Sequence, residues 1–345
     1  MPLIALRRRV TFALVAVAVG VGGIAIGSAR NATPTRPADA HPGVPSAGRL
    51  QYQRLDHPAR TIARIPSGKV VATMTDGSRT VALLGPERIF ADPGLTAATV
   101  TTSTWVRILP RSWSADADRQ RWFRSWLDQA LSDTSPDLFA VALQYLRGQP
   151  AETDATGVIY RGDAGFGPEI AGAASRKENS DFYDYLGVPW TFADGKHAAP
   201  DPAHYRDIDC SGYLRLVLGY RMGLPLLNTN GPGAGLPRRA YAIAAVGPGT
   251  VIIPDRSTTA HDYTALQPGD LVFFNLDTDP QIDHAAIYLG LDDSGHHRFL
   301  SSRGKADGPT LGDLGGSSTT VATTPADSAP RAGSEQADGD SCALP

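Results

Sequence analysis

Between residues 62 and 109 apolar and polar positions alternate in short runs broken by turns, the period-two pattern of half-buried strands. Val70-Val71-Ala72-Thr73-Met74-Thr75, then Asp76-Gly77, then residues 79–84 spell a hairpin, because Asp-Gly supplies the positive φ of a tight turn. A Thr-rich, β-branched run over residues 100–109 predicts one more strand. Residues 60–111 therefore read as a small β-rich domain, for which an SH3-like module is one form. The period then changes. Trp122, Phe123, Trp126, Leu127, Ala130 and Leu131 share one helical face, expected to pack on the β unit. Ser135-Pro136 predicts an N-cap followed by Pro at the first position of a second helix, which Gly148 closes. Residues 112–150 are thus a helical pair, and the Gly- and Ala-rich residues 151–179 a connecting loop.

The most informative patterns lie further on. Cys210 falls where loop gives way to a predicted amphipathic helix with Tyr213, Leu214, Val217 and Leu218 on its apolar side. A helix start favours thiolate and supplies backbone N–H donors to a developing oxyanion. A buried structural cysteine fits the same segment equally well. Pro268-Gly269-Asp270 then turns the chain into an apolar strand, and His284 opens another at Ile282-Asp283-His284. A nucleophilic thiol needs a base that takes its proton and returns it to a leaving amine, which histidine does near neutral pH.

Composition narrows the setting. Thirty-six Gly and 27 Pro in 345 residues argue against a bundle or coiled coil and for many turns and linkers. The net charge is −3, with Arg scattered along the chain, so no basic stripe for nucleic acid is present. No histidine pair has metal-ligand spacing, so neither metal nor cofactor is expected. Arg7, Arg8 and Arg9 precede the uncharged residues 10–27, the pattern of an export signal. Residues 1–29 read either as a cleaved signal peptide or as an anchor holding the chain to a membrane through residues 10–27. Both place the rest outside the cytoplasm, secreted or in the cell envelope. Five prolines in residues 30–59 mark an extended linker.

Taken together, Gly187-Val188-Pro189-Trp190, Asp209-Cys210-Ser211-Gly212, Gln267-Pro268-Gly269-Asp270-Leu271-Val272-Phe273-Phe274 and the run from His284 to Gly290 resemble the NlpC family of papain-like cysteine peptidases, which cut bacterial cell-wall peptides. The resemblance covers residues 180–316. It implies an α+β fold, with the Cys-bearing helix packed on an antiparallel sheet, and a monomeric peptidoglycan hydrolase. It also implies Cys210 as nucleophile, His284 as base, and cleavage of stem peptides at a D-γ-glutamyl-diaminopimelate type of bond. Asp209 and Ser211 would bind the substrate's free amine, or else cap the helix. Trp190 stands where the family has a substrate-contacting tyrosine. The polar residue that orients the histidine falls at Ser301, with His297 as the alternative. Two Gly/Pro-rich stretches, residues 228–235 and 245–255, are extra, and each is either a lid or a mere connection. A degenerate domain kept for wall binding or scaffolding, and amidase or acyl-transfer chemistry on the same site, are the competing readings.

Two expectations concern the end of the chain. Residues 317–345 read as a disordered tail, and no closing ordered element of the domain is evident. Of the two cysteines, Cys210 is expected as a free catalytic thiol and Cys342 as incidental, with no structural disulfide.

Overall fold

The computed structural model describes residues 50–173, 175–255, 262–276 and 281–312. The predicted signal or anchor (1–29), residues 30–49 of the linker and the tail (317–345) lie outside them. Among the described residues no helix is long and apolar enough to cross a membrane. The fold mixes helices with antiparallel sheets, which agrees with the α+β expectation.

Five strands make an antiparallel meander in chain order: β1 (Gln51–Asp56), β2 (Ala59–Arg64), β3 (Val70–Thr75), β4 (Thr80–Ala91) and β5 (Thr99–Ile108). The predicted hairpin is β3–β4, in register with Ala72 opposite Leu83, and Gly77 takes φ +76° at its turn. Strand β1 corrects the linker reading, since the last ten residues called linker already include a paired strand. It is a sheet edge, mostly exposed and polar, so it carries no hydrophobic alternation to reveal it.

Helix α1 (Arg121–Ser132) buries Phe123 and Leu127 against Ala63, Met74, Val81 and Leu83 of the sheet, with Trp122 and Trp126 flanking, as its apolar stripe predicts. The second helix, α2 (Leu138–Ala142), starts later than expected. Its N-cap is Asp137, not Ser135: the Asp137 carboxylate accepts from Ala140 N at 3.0 Å. The same carboxylate takes a bidentate bond from Arg88 at 2.7 and 2.6 Å and another from Val106 N at 2.8 Å, tying β4 and β5 to α2. Loop 151–179 contains one small hairpin, β6 (Glu152–Thr153) with β7 (Ile159–Arg161).

The remaining elements are α3 (Phe182–Leu186), the short pair β8 (Trp190–Thr191) and β9 (His197–Ala198), α4 (Cys210–Leu214), α5 (Ala240–Val246), and a four-stranded sheet. That sheet runs in chain order through β10 (Leu271–Phe274), β11 (His284–Leu291), β12 (His297–Arg303) and β13 (Gly308–Leu311). Strand β13 closes the domain and was not anticipated. Its Gly308-Pro309 start reads as a turn, yet Pro309 pairs with Ser302 on the outermost strand, where a missing N–H is tolerated.

Helix α4 continues directly into a π-helical stretch, Arg215–Arg221, and its whole first turn is buried. The predicted amphipathic character fails at Arg215, which is fully buried because Asp181, at 3.0 Å, and the carbonyls of Leu227, Leu236 and Pro237 take its guanidinium. One core joins α2, α4, β11 and β12 with Val100 and Val106 of β5. The meander and the second sheet therefore share buried side chains and are not separate cores.

Candidate active site

Cys210 is the first residue of α4. Asp209 caps that helix, its carboxylate accepting from Gly212 N at 2.7 Å. Gly212 itself is required by contact: a Cβ there would lie 2.4 Å from the carbonyl oxygen of Ser180. That carbonyl also accepts from Asp209 N at 2.9 Å, so the segment before α3 is laced to the start of α4. Asp209 and Gly212 thus each have a physical part in how the helix begins.

His284 opens β11, opposite Phe274 of β10. Cys210 Sγ lies 3.8 Å from the carbonyl oxygen of Asp283, the residue immediately before the histidine. The Asp283 carboxylate accepts from Leu276 N at 3.0 Å. Elements far apart in sequence therefore deliver the sulfur and the imidazole to one neighbourhood.

Ser301 on β12 reaches His284 Nε2 at 2.7 Å and gives its hydroxyl proton to Ala285 O at 2.8 Å. A hydroxyl has one proton to give. With that proton on Ala285 O, Ser301 accepts from His284 Nε2–H and the neutral ring carries its lone pair on Nδ1. Burial, and next the positive charge of Arg303, hold the imidazole well below its ordinary pKa, against a smaller opposing pull from Asp209. The ring is thus the neutral, basic form at neutral pH. His297 is elsewhere: its Nδ1 lies 2.8 Å from the Tyr288 hydroxyl and its ring sits against Tyr263. Four residues of strand, roughly 13 Å, separate it from Ser301.

The three remaining predicted residues behave differently. Trp190 is half-buried, packed edge-on against Phe182 and Tyr220. Asp209 and Ser211, expected beside a substrate amine, have no solvent exposure and are bound to Arg238. The physical reason is the ion pair: Arg238 Nη2 lies 2.6 Å from Asp209 Oδ2. Burial alone would raise the Asp209 pKa, but Arg238 outweighs it and holds the carboxyl below its usual range. Arg238 comes from just beyond the first extra stretch, a signal that sequence spacing alone does not supply. The second extra stretch sends Thr250 to the β3–β4 turn, where its hydroxyl donates to Asp76 O.

A further residue was missed. Glu178 has its pKa pushed up to about 8 by burial first, then by Asp209, with Asp283 adding to the effect. It lies in a loop without pattern, so only the fold brings it near the start of α4.

The expectation of a free Cys210 thiol is not met, for Cys210 is disulfide-bonded. Cys342, the other cysteine in the sequence, lies outside the described residues. The expectation rested on the need to keep a nucleophile available, which places no physical bar on the bond. Among the described residues no group of three or more His, Cys, Asp or Glu could hold a metal ion.

Comparison with known proteins agrees with the motif reading. The NlpC/P60 family model matches residues 187–308, which include Cys210, His284 and Ser301. No curated protein and no solved structure matches the chain. The chain therefore carries an NlpC/P60 domain at residues 187–308, which places that part of it in the NlpC-type family of papain-like peptidases.

Proposed function

We propose that this protein is an exported cysteine endopeptidase of the bacterial cell wall, cutting peptidoglycan stem peptides at a D-γ-glutamyl-diaminopimelate type of bond. The observation that carries the reading is the Ser301–His284 hydrogen bond beside Cys210, inside the matched family domain. The NlpC/P60 family is a peptidase family of extracellular and envelope proteins, which supports the wall setting. The basic, apolar N-terminus supports export.

In the reaction, the reduced Cys210 thiol gives its proton to His284 Nδ1. The thiolate attacks the amide carbonyl carbon, and the backbone N–H of Cys210 at the helix start donates to the oxyanion. The C–N bond breaks as His284 returns the proton to the leaving amine. His284 then takes a proton from water, whose oxygen displaces the thioester and frees the acid and the thiol. Ser301 holds the ring in the tautomer each step needs. Trp190 keeps an aromatic ring, without a hydroxyl, at the position where the family contacts substrate. Cys210 and Ser301 are fully buried and His284 is 1% exposed.

The test is mass spectrometry of muropeptides incubated with the full chain, with and without a dithiol reductant, beside Cys210→Ala. Cleaved stems are expected only in the reduced, unsubstituted protein. Intact stems in every sample across neutral pH would sink the enzyme reading and favour a wall-binding role.

A further inference from the structure

Ser301 has a neighbour that the reaction above does not use. Thr310 of β13 stands directly opposite Ser301 of β12 in the strand register. Directly opposed residues of an antiparallel pair carry their side chains on one face, with Cβ atoms about 4.5–5.5 Å apart. Two hydroxyls are therefore side by side on the face that Ser301 turns to His284. They differ in what they bond. Ser301 Oγ is engaged with His284 Nε2 at 2.7 Å and Ala285 O at 2.8 Å. Thr310 is 2% exposed, and its Oγ1 is buried with no hydrogen-bond partner among the described residues.

A buried hydroxyl without a partner has given up its bonds to water and gained none in return, so it lowers stability. Valine has the same branched shape and would set a methyl group in place of the hydroxyl. Packing therefore gives no reason for threonine here, and the chemistry beside it gives one. When His284 takes the thiol proton, a positive charge appears on a buried ring. Arg303 lies on the same face, two residues along β12 from Ser301, and its charge acts against the imidazolium more strongly than Asp209 favours it. Ser301 has no charge to set against that. A hydroxyl that holds no bond in the resting site turns its oxygen toward the new charge without breaking anything, and a buried dipole is weakly screened.

We propose that Thr310 is a positioning residue for the reaction: its hydroxyl turns toward the Ser301–His284 pair as the imidazole becomes charged, and so supports the base without touching substrate. The proposal rests on the peptidase reading above and adds a second side chain to the support of its base. It gives the closing strand β13 a part in the chemistry as well as in the fold.

Thr310→Val and Thr310→Ser, made in the full chain and assayed reduced on stem peptides, test it beside thermal unfolding. In Thr310→Val kcat is expected to fall about 3- to 10-fold with KM unchanged. Its Tm is expected to stay level or rise, because an unpaired buried hydroxyl is gone. Thr310→Ser keeps the hydroxyl and is expected to restore most of the rate. An unchanged kcat in the valine variant overturns the proposal, as does a serine variant as slow as the valine one. A fall in kcat that comes with a lowered Tm also overturns it, since the residue would then act through packing. Alkylation of Cys210 by iodoacetamide, located by peptide mass spectrometry on the reduced proteins, needs no substrate and keeps this test apart from the peptidase reading. Slower labelling in Thr310→Val that Thr310→Ser restores supports the role of Thr310 even where no stem is cut. Equal labelling in all three proteins, or none in any, overturns it.

Discussion

At the scale of single residues, the proposed chemistry depends on one hydroxyl. Ser301 carries no charge with which to stabilise an imidazolium, so its contribution is tautomer and orientation. Ser301→Ala leaves the His284 Nε2–H without that acceptor, a cost of about 1–3 kcal/mol for a buried donor. We expect kcat/KM to fall roughly 10- to 100-fold with KM little changed, and Ser301→Thr to restore part of it. Unchanged steady-state rates in a folded alanine variant would remove Ser301 from the site. Ser301 was legible through the family resemblance. Arg238 and Glu178 were not, because nothing local distinguishes them from the many other charged side chains.

At the scale of elements, Asp137 shows how caps and ion pairs set geometry. It caps α2 and accepts both arms of Arg88 while fully buried, so three elements meet at one carboxylate. Removing one partner of a buried pair leaves the other charge uncompensated. Asp137→Ala is expected to lower unfolding stability by about 3–5 kcal/mol, measured by urea denaturation. A loss under about 1 kcal/mol would show that Arg88, stacked 4.0 Å from the centroid of the Trp105 ring, finds enough support there. Periodicity located the β3–β4 hairpin, β5, α1 and the strand that follows Pro268-Gly269-Asp270. It missed β1 and β13, whose residues pair through backbone groups at sheet edges with little hydrophobic signature.

At the scale of the whole molecule, the meander and the second sheet are joined by more than a tether. Val100 and Val106 of β5 lie in the same core as Cys210, Ile287 and Leu300. Arg60 of β2 donates to Ala265 O at 2.8 Å and lies 3.3 Å from Asp270, the acid of the Pro-Gly-Asp turn. Gly269, at φ +96°, lets that turn approach β5, since a Cβ there would meet Val106 at 2.8 Å. Calorimetry of the full chain should therefore give one cooperative transition for these parts, and a chain starting at residue 112 should give none. Two well-separated transitions, or a stable truncated protein, would show that the sheets fold independently.

What the amino-acid sequence determined by itself is the local and the ordered: hairpin chemistry at Asp76-Gly77, the apolar stripe of α1, and a Cys-helix followed by a His-strand. These depend on neighbours within a few residues, where spacing translates directly into geometry. The tertiary structure alone decided which distant groups meet. It placed Ser301, and not His297, on the imidazole, and it paired Arg238 with the buried Asp209 and Ser211. Such contacts depend on register and packing between residues 17 to 29 positions apart, and burial then makes each charge find a partner.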